Sequence, residues 1–146
     1  MAMLRTIPFS EFNLWDVKRF VKSSITSKYE IVTLGKHISE RGEKYKLYEY
    51  EDKSFGILGV NNKHGVFDAY TELGKNINQA YKLVKDFDLT YNPYRVNVGS
   101  IGMKTVEHRN QYISPAYVVF ECKPSINAEF LYRLFKSDAL EVAWQN

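Results

Sequence analysis

Apolar residues recur at helical spacing near the N-terminus of the chain. Asn13 is a candidate N-cap, with Asp16 three residues further on, and the apolar positions that follow fall on one helical face: Leu14, Val17 and Val21, with Phe20 beside them. A helix followed by a polar connector is therefore predicted within residues 1–28.

A second helical pattern begins near the C-terminus. Asn127 is a candidate N-cap, and the predicted apolar stripe of the helix consists of Phe130, Leu131, Leu134 and Phe135. Ser137 and Asp138 interrupt the pattern, and residues 139–144 are predicted to continue as a shorter helix.

The residues between these helices form short apolar runs that indicate strands. Strands are predicted over residues 29–34, 55–60, 88–91, 95–98 and 116–122, with a brief helical turn over residues 34–38. Residues 41–53 lack apolar periodicity, so a solvated loop or an edge strand is predicted there. The strands at 88–91 and 116–122 are expected to pair, with the charged loop of residues 104–111 exposed where they join.

Glycine and asparagine mark two turns within this region. Gly99 and Gly102 allow either a positive φ or a close approach of another backbone segment. Residues 61–65, with the sequence NNKHG, form a tight polar turn that presents amide, ammonium and imidazole groups together. Such a turn can reach base edges in the major groove, or it can be a hairpin tip selected for turn geometry alone.

The chain length and the element pattern predict one α+β domain. With 146 residues the chain suits a single hydrophobic core. We expect a mixed, largely antiparallel curved β-sheet with flanking N- and C-terminal helices. The predicted parts are residues 1–28 (helix and connector), 29–124 (β-rich core) and 125–146 (C-terminal helix).

Net charge, cysteine content and hydropathy say little about nucleic-acid binding, but they indicate the cellular compartment. A net charge of +3 is too small to indicate nucleic-acid binding by itself, so the distribution of charge must decide. Cys122 is the single cysteine and is expected to be a small buried residue in a reducing compartment. The sequence shows neither a signal peptide nor an apolar run of bilayer length, so a cytoplasmic protein without membrane contact is expected.

Five segments, in this order along the chain, resemble one protein family. They are YEIVTLGKHI (29–38), FGILGVNNKHGVF (55–67), YNPYRVNVGSIG (91–102), ISPAYVVF (113–120) and FLYRLFKSD (130–138). Together they resemble the target-recognition domain of the specificity (S) subunit of type I restriction-modification systems, over roughly residues 29–140. The resemblance implies a target-recognition-domain-like fold.

The resemblance also implies a function and partners. It implies a non-catalytic module that recognises duplex DNA and directs separate modification (methyltransferase) and restriction subunits. The family joins two such domains through long spacer helices, and residues 125–146 correspond to the start of one. The chain can therefore be a single-domain half subunit that pairs with itself through the C-terminal helix, a trimmed chain, or the fragment of a damaged gene. The alternative is an interaction or scaffold domain of the same fold that does not read DNA.

Candidate DNA contacts are the amide, imidazole and cationic side chains of predicted turns and strand faces. Arg95 and Asn97 alternate with Val96 and Val98, so both are expected on one strand face, where either DNA contact or a structural role for Arg95 is consistent with the pattern. Lys104 and its neighbours form the most exposed cationic loop. The candidates are Asn61, Asn62, Lys63, His64, Lys75, Asn76, Arg95, Asn97, Lys104, His108, Arg109 and Asn110.

Catalytic motifs are absent from the sequence. Asn92-Pro93-Tyr94 only faintly resembles the Asn-Pro-Pro-aromatic motif of amino-methyltransferases, and Gly99–Gly102 lacks the context of a phosphate-binding loop. His37, His64 and His108 are far apart in the sequence and have no neighbouring metal-ligand spacing. No enzyme activity, metal or cofactor is therefore expected.

Overall fold

The computed structural model describes residues 27–95 and 99–137. The chain divides into two units, residues 1–31 and 32–146, and the elements below belong to the second unit. Three predictions lie outside the described residues: the N-terminal helix, the position of Asn97 on a strand, and the helix over residues 139–144. Within the described part of the chain, no helix is long and apolar enough to cross a membrane.

Nine strands form two sheets in the described residues. The first sheet has the order β1–β9–β6–β7 and is antiparallel throughout; it contains β1 (Ile38–Glu40), β6 (Leu89–Tyr91), β7 (Ile101–Met103) and β9 (Val118–Cys122). The second sheet has the order β2–β5–β8–β3–β4; it contains β2 (Lys44–Tyr45), β3 (Ser54–Asn61), β4 (Gly65–Leu73), β5 (Tyr81–Leu83) and β8 (Tyr112–Ile113).

This arrangement confirms the predicted α+β class with mixed, largely antiparallel pairing, because β3 and β8 pair in parallel and the other strand pairs are antiparallel. The strands divide over two sheets, where one curved sheet was predicted. The predicted pairing of residues 88–91 with 116–122 is confirmed by β6 and β9. The predicted edge strand within residues 41–53 is β2.

The predicted strand over residues 29–34 is wrong. Residues 29–33 have no regular structure, and a 3₁₀ helix follows at Leu34–Lys36, which agrees with the predicted helical turn. Ile31 and Val32 are 70% and 54% exposed. Side chains that favour strands do so through packing against neighbouring strands, and these two residues lack such packing.

Three apolar clusters hold the layers together. Val119 of β9 faces the second sheet and packs with Leu58, Val66 and Ile113. The next residue, Phe120, points to the opposite face, as alternation along a strand requires, and packs with Leu131 of the helix α1 (Ala128–Phe135). A third cluster, which includes Phe55 and Ile57, packs beneath the 3₁₀ helix Leu47–Glu49.

The helix α1 begins as predicted. The side chain of Asn127 accepts a hydrogen bond from the Phe130 N–H at 2.9 Å, which satisfies one of the free donors of the first turn. Of the four residues in the predicted apolar stripe, Leu131 and Phe135 pack in the core and the other two do not. Leu131 is buried, whereas Phe130 and Leu134 are 60% and 42% exposed, because the buried face is completed by Ala128, Tyr132 and Phe135.

Candidate nucleic-acid interface

The strands β3 and β4 form a hairpin whose tip is the predicted NNKHG turn. The Asn61 side chain accepts a hydrogen bond from the His64 N–H at 2.7 Å, and Gly65 has a φ of 68°. Asn61 therefore closes the turn, a role that short amides commonly take. Asn62, Lys63 and His64 are exposed at the tip.

The lysine that caps the C-terminal end of α1 supports this tip. Lys136 Nζ donates to the main-chain oxygens of Asn62 and Gly99, at 3.0 Å each. Gly99 has a φ of 74°, so the positive φ predicted for one of the paired glycines is found here. The amine thus joins the hairpin tip to the turn between β6 and β7. Lys136 was not among the residues that the sequence pattern singled out.

The turn between β6 and β7 presents an aromatic ring beside a cation. Asn92 fixes the turn, since its side chain accepts from the Tyr94 N–H and its carbonyl accepts from the Arg95 N–H, both at 3.0 Å. Tyr94 is 84% exposed and Arg95 is also exposed. Arg95 therefore lies in a turn, and the prediction that it lies on a strand is wrong. Tyr94 was missed as a candidate; its place directly after Asn-Pro was the available signal.

The predicted exposure of Lys104 is also wrong. Lys104 is 3% exposed, and its Nζ forms an ion pair with Asp86. The main chain holds it there: its N–H donates to the Asp88 carbonyl at 2.9 Å, and its own carbonyl accepts from the Phe87 N–H at 2.7 Å. Lys104 therefore continues the pairing of β6 and β7 and points inward.

The rest of the loop is fixed onto the β3–β4 hairpin. His108 Nε2 lies 3.0 Å from the Val66 carbonyl oxygen, and the Asn110 side-chain amide donates to the carbonyls of Ile57 at 2.8 Å and Tyr70 at 3.3 Å. His108 and Asn110 thus have structural partners. Arg109 lies between them with an exposed side chain.

Lys75 and Asn76 lie at the other end of the hairpin. They belong to a 3₁₀ helix that directly follows β4. The last residue of β4, Leu73, is eight residues beyond Gly65, which corresponds to about 27 Å along a strand. Both are exposed, and the Asn76 amide donates to Glu72 at 2.7 Å. The structure therefore separates these two candidates from the tip.

The two turns that Lys136 joins carry five exposed residues, which we call the tip surface: the candidates Asn62, Lys63, His64 and Arg95, and the additional residue Tyr94. Arg109 lies beside Asp68, three residues from Gly65, or about 10 Å along β4. This separation is short compared with the helical repeat of duplex DNA, about 34 Å. Exposed amide, imidazole and guanidinium groups of this kind can contact both phosphates and base edges.

In the part of the chain that the structure describes, no group of three or more His, Cys, Asp or Glu side chains is arranged so that it could hold a metal ion. Arg41 forms ion pairs with Asp88 and with Glu121. Hydrogen bonding to Asp88, opposed by partial burial, raises the pKa of the Arg41 guanidinium. This cation stays charged and serves as a structural ion-pair partner.

Comparison with solved structures identifies the fold. The HsdS subunit from Thermoanaerobacter tengcongensis superposes with a TM-score of 0.60 at 18% sequence identity, covering 73% of this chain and 29% of that one. A chain from a study of complex assembly and conformational transition in the type I restriction-modification system gives 0.58 at 16% identity, covering 79% and 31%. No protein-family model and no curated protein sequence matches the chain. This chain spans about a third of the length of those structures, and its fold is that of the target-recognition domain of a type I specificity subunit.

Proposed function

We propose that this chain recognises duplex DNA as the specificity component, or half of one, of a type I restriction-modification system. In this role it performs no chemistry and directs separate modification and restriction subunits to their target. One such domain reads one half of a split target, a few base pairs long. The fold it shares with specificity subunits supports the proposal.

The observation that carries the proposal is the tip surface. Two separate segments, the hairpin tip and the β6–β7 turn, meet on the amine of Lys136 and present exposed polar and cationic side chains together. A rigid support of this kind lowers the entropy lost when side chains are immobilised on DNA. Scattered lysines on an ordinary surface are not organised in this way.

The contacts divide by chemistry. Lys63 and Arg95 carry full charges and suit phosphate oxygens, which set position on the duplex. The amide of Asn62 suits adenine, where it can both donate and accept, and Arg109 suits the two acceptors of guanine. Tyr94 supplies an exposed apolar ring for contact with sugar or base.

The partner surface that we propose for α1 is its exposed apolar face. Phe130 and Leu134 lie one turn apart and are 60% and 42% exposed. A second copy of this chain is the proposed occupant, giving a homodimer that presents two recognition domains. The variant Phe130→Asp/Leu134→Asp should be monomeric in analytical ultracentrifugation under conditions where the unaltered chain is dimeric; an unaltered chain that sediments as a monomer contradicts this assembly.

Duplex titration tests the main proposal. We expect a labelled duplex pool of random sequence to bind in fluorescence anisotropy, with affinity falling steeply between low and moderate salt. Lys63→Ala/Arg109→Ala should weaken binding without lowering the melting temperature. Because only Lys63 of this pair is assigned to a phosphate, the slope of log affinity against log salt should decrease by about 0.9.

A matched control removes two exposed cations elsewhere. Lys36 precedes β1 at the end of the first sheet away from Arg95, and Lys46 lies between β2 and the next 3₁₀ helix. Lys36→Ala/Lys46→Ala should leave affinity within twofold of the unaltered chain. Absence of salt-dependent binding by the unaltered chain would favour the scaffold alternative, and equal losses in both double variants would remove Lys63 and Arg109 from the interface.

A further inference from the structure

Asp68 is an acidic residue at the place where the proposed interface needs positive charge. It lies on β4, three residues from the hairpin tip, and its neighbour across the loop is Arg109. A carboxylate near DNA phosphates is unfavourable, because like charges repel over roughly a Debye length, about 8 Å at physiological salt. Its presence there therefore calls for a structural reason.

The carboxylate of Asp68 binds the main chain of the neighbouring loop. Its Oδ2 accepts from the Arg109 N–H at 3.1 Å and its Oδ1 accepts from the Asn110 N–H at 3.0 Å. Hydrogen bonds to an ionised acceptor are roughly twice as strong as neutral ones. Both oxygens are thus used to fix the two consecutive peptide groups that flank the Arg109 Cα.

Asn110 anchors the same loop to an irregularity in the hairpin. The pairing register shifts between Ile57 and Leu58, so that Ala69 of β4 has no partner in the ladder. The Asn110 amide donates to the carbonyls of Ile57 and Tyr70 beside this bulge. Gly56 makes room for it, since a Cβ at that position would collide with the Asn110 side chain.

His108 provides the anchor on the other side of Arg109. The Thr105 N–H donates to His108 Nδ1 at 3.0 Å, so the ring proton of the neutral imidazole lies on Nε2. Nε2–H then donates to the Val66 carbonyl at 3.0 Å. The residues before and after Arg109 are therefore held by β4, while the Arg109 side chain is exposed.

We infer that Asp68 is a positioning residue that fixes the backbone from which Arg109 reaches DNA. The inference rests on the proposed function. A fixed backbone reduces the freedom that a long side chain loses on binding, and it also sets the direction of the guanidinium group. Asp68 is expected to act through Arg109 and to make no contact with DNA itself.

A double-mutant cycle on the full chain tests this inference, because charge and positioning predict opposite signs. Removing a negative charge near phosphates should by itself strengthen duplex binding. We expect Asp68→Ala to weaken binding roughly fivefold, the factor that corresponds to about 1 kcal/mol. In the Arg109→Ala background the same change should give no further loss.

Asp68→Asn guards against a folding defect, since its amide keeps one acceptor for the loop and should give an intermediate affinity at an unchanged melting temperature. Unchanged or stronger binding by Asp68→Ala overturns the inference, and so does an equal loss in the Arg109→Ala background. If the proposed function itself is wrong, the unaltered chain will not bind duplex DNA, and this outcome differs from every outcome that tests Asp68.

Discussion

Gly102 of β7 lies directly against the backbone of Gly65 of β4, so that the two sheets touch without an intervening side chain. A Cβ built at Gly102 would lie 2.9 Å from Gly65 Cα and 2.6 Å from its carbonyl carbon, closer than real Cβ atoms come. Positive φ is not the reason that glycine is needed here, as Gly99 and Gly65 have the positive φ values. Close approach is the reason.

This contact predicts that Gly102→Val destabilises the protein by about 3 kcal/mol or more, because overpacking against backbone cannot be relieved by side-chain rotation. Chemical denaturation followed by circular dichroism measures the loss. Gly42→Val is the matched control, since nothing lies within 4 Å of a Cβ at Gly42. Equal midpoints for the two variants would show that β7 can move away from β4 freely.

The ion pair of Arg41 and Asp88 is expected to be essential for stability. Asp88 is 2% exposed and accepts from Arg41 Nε at 2.5 Å, from Arg41 Nη2 at 3.0 Å and from the Lys85 N–H at 2.9 Å. Asp88→Ala removes the acceptor of Arg41 Nε and of the Lys85 N–H, although Arg41 Nη2 keeps Glu121 at 2.9 Å, and should cost about 3 kcal/mol.

The surface pair of Glu129 and Arg133 provides the comparison for Asp88. Both side chains are more than half exposed and lie four residues apart on α1. Glu129→Ala should therefore change the free energy of unfolding by less than about 0.5 kcal/mol. Similar losses in Asp88→Ala and Glu129→Ala would mean that burial of the Arg41 pair contributes nothing.

Tyr81 predicts a loss of stability at high pH. Burial, followed by hydrogen bonding with Tyr70, raises its pKa to about 12 from the usual 10. A raised pKa means that the folded state favours the neutral phenol, so this contribution is complete below pH 10 and disappears as the pH rises to about 12. Unfolding free energies measured across this range should fall less steeply for Tyr81→Phe than for the unaltered protein; parallel curves would contradict the shifted pKa.

Cys122 should react slowly with thiol reagents. Burial, and secondarily the negative charge of Asp88, raises the pKa of its thiol. The thiolate is the reactive species, so its fraction at neutral pH is smaller than for a free cysteine. Iodoacetamide labelling followed by mass spectrometry should be slower in the native protein than in guanidinium chloride, and equal rates would show an accessible thiolate.

Local signals predicted several elements correctly. The Asn127 cap, the strand at β9 and the turn at residues 61–65 depend on neighbouring residues, so the sequence pattern contains their cause. The burial of Lys104 depends on Asp86, eighteen residues earlier, and on the pairing of β6 with β7. Sequence alone shows a cationic loop there and cannot show which side chain turns inward.

The sequence predicted which types of residue form the candidate interface, but it did not predict which segments lie next to each other there. Asn62, Lys63 and His64 were expected at a turn and are exposed there. Their proximity to the β6–β7 turn depends on Lys136, more than seventy residues further along the chain, through a hydrogen bond that no periodicity reveals. The structural roles of His108 and Asn110 could not be predicted either. Their hydrogen-bond partners are main-chain carbonyls of the β3–β4 hairpin, about forty or more residues earlier in the chain.

The side chains that support the hairpin tip and the loop around Arg109 share one property: both bind main-chain atoms. Lys136 binds the carbonyls of Asn62 and Gly99, and Asp68 binds the amides of Arg109 and Asn110. Because every amino acid other than proline has these same atoms, the side chains at positions 62 and 109 can be replaced without loss of these hydrogen bonds. Libraries randomised at positions 62 and 109, and at the exposed position 63 beside the first, should therefore remain folded, so the proposed contacts can be varied while the scaffold stays the same.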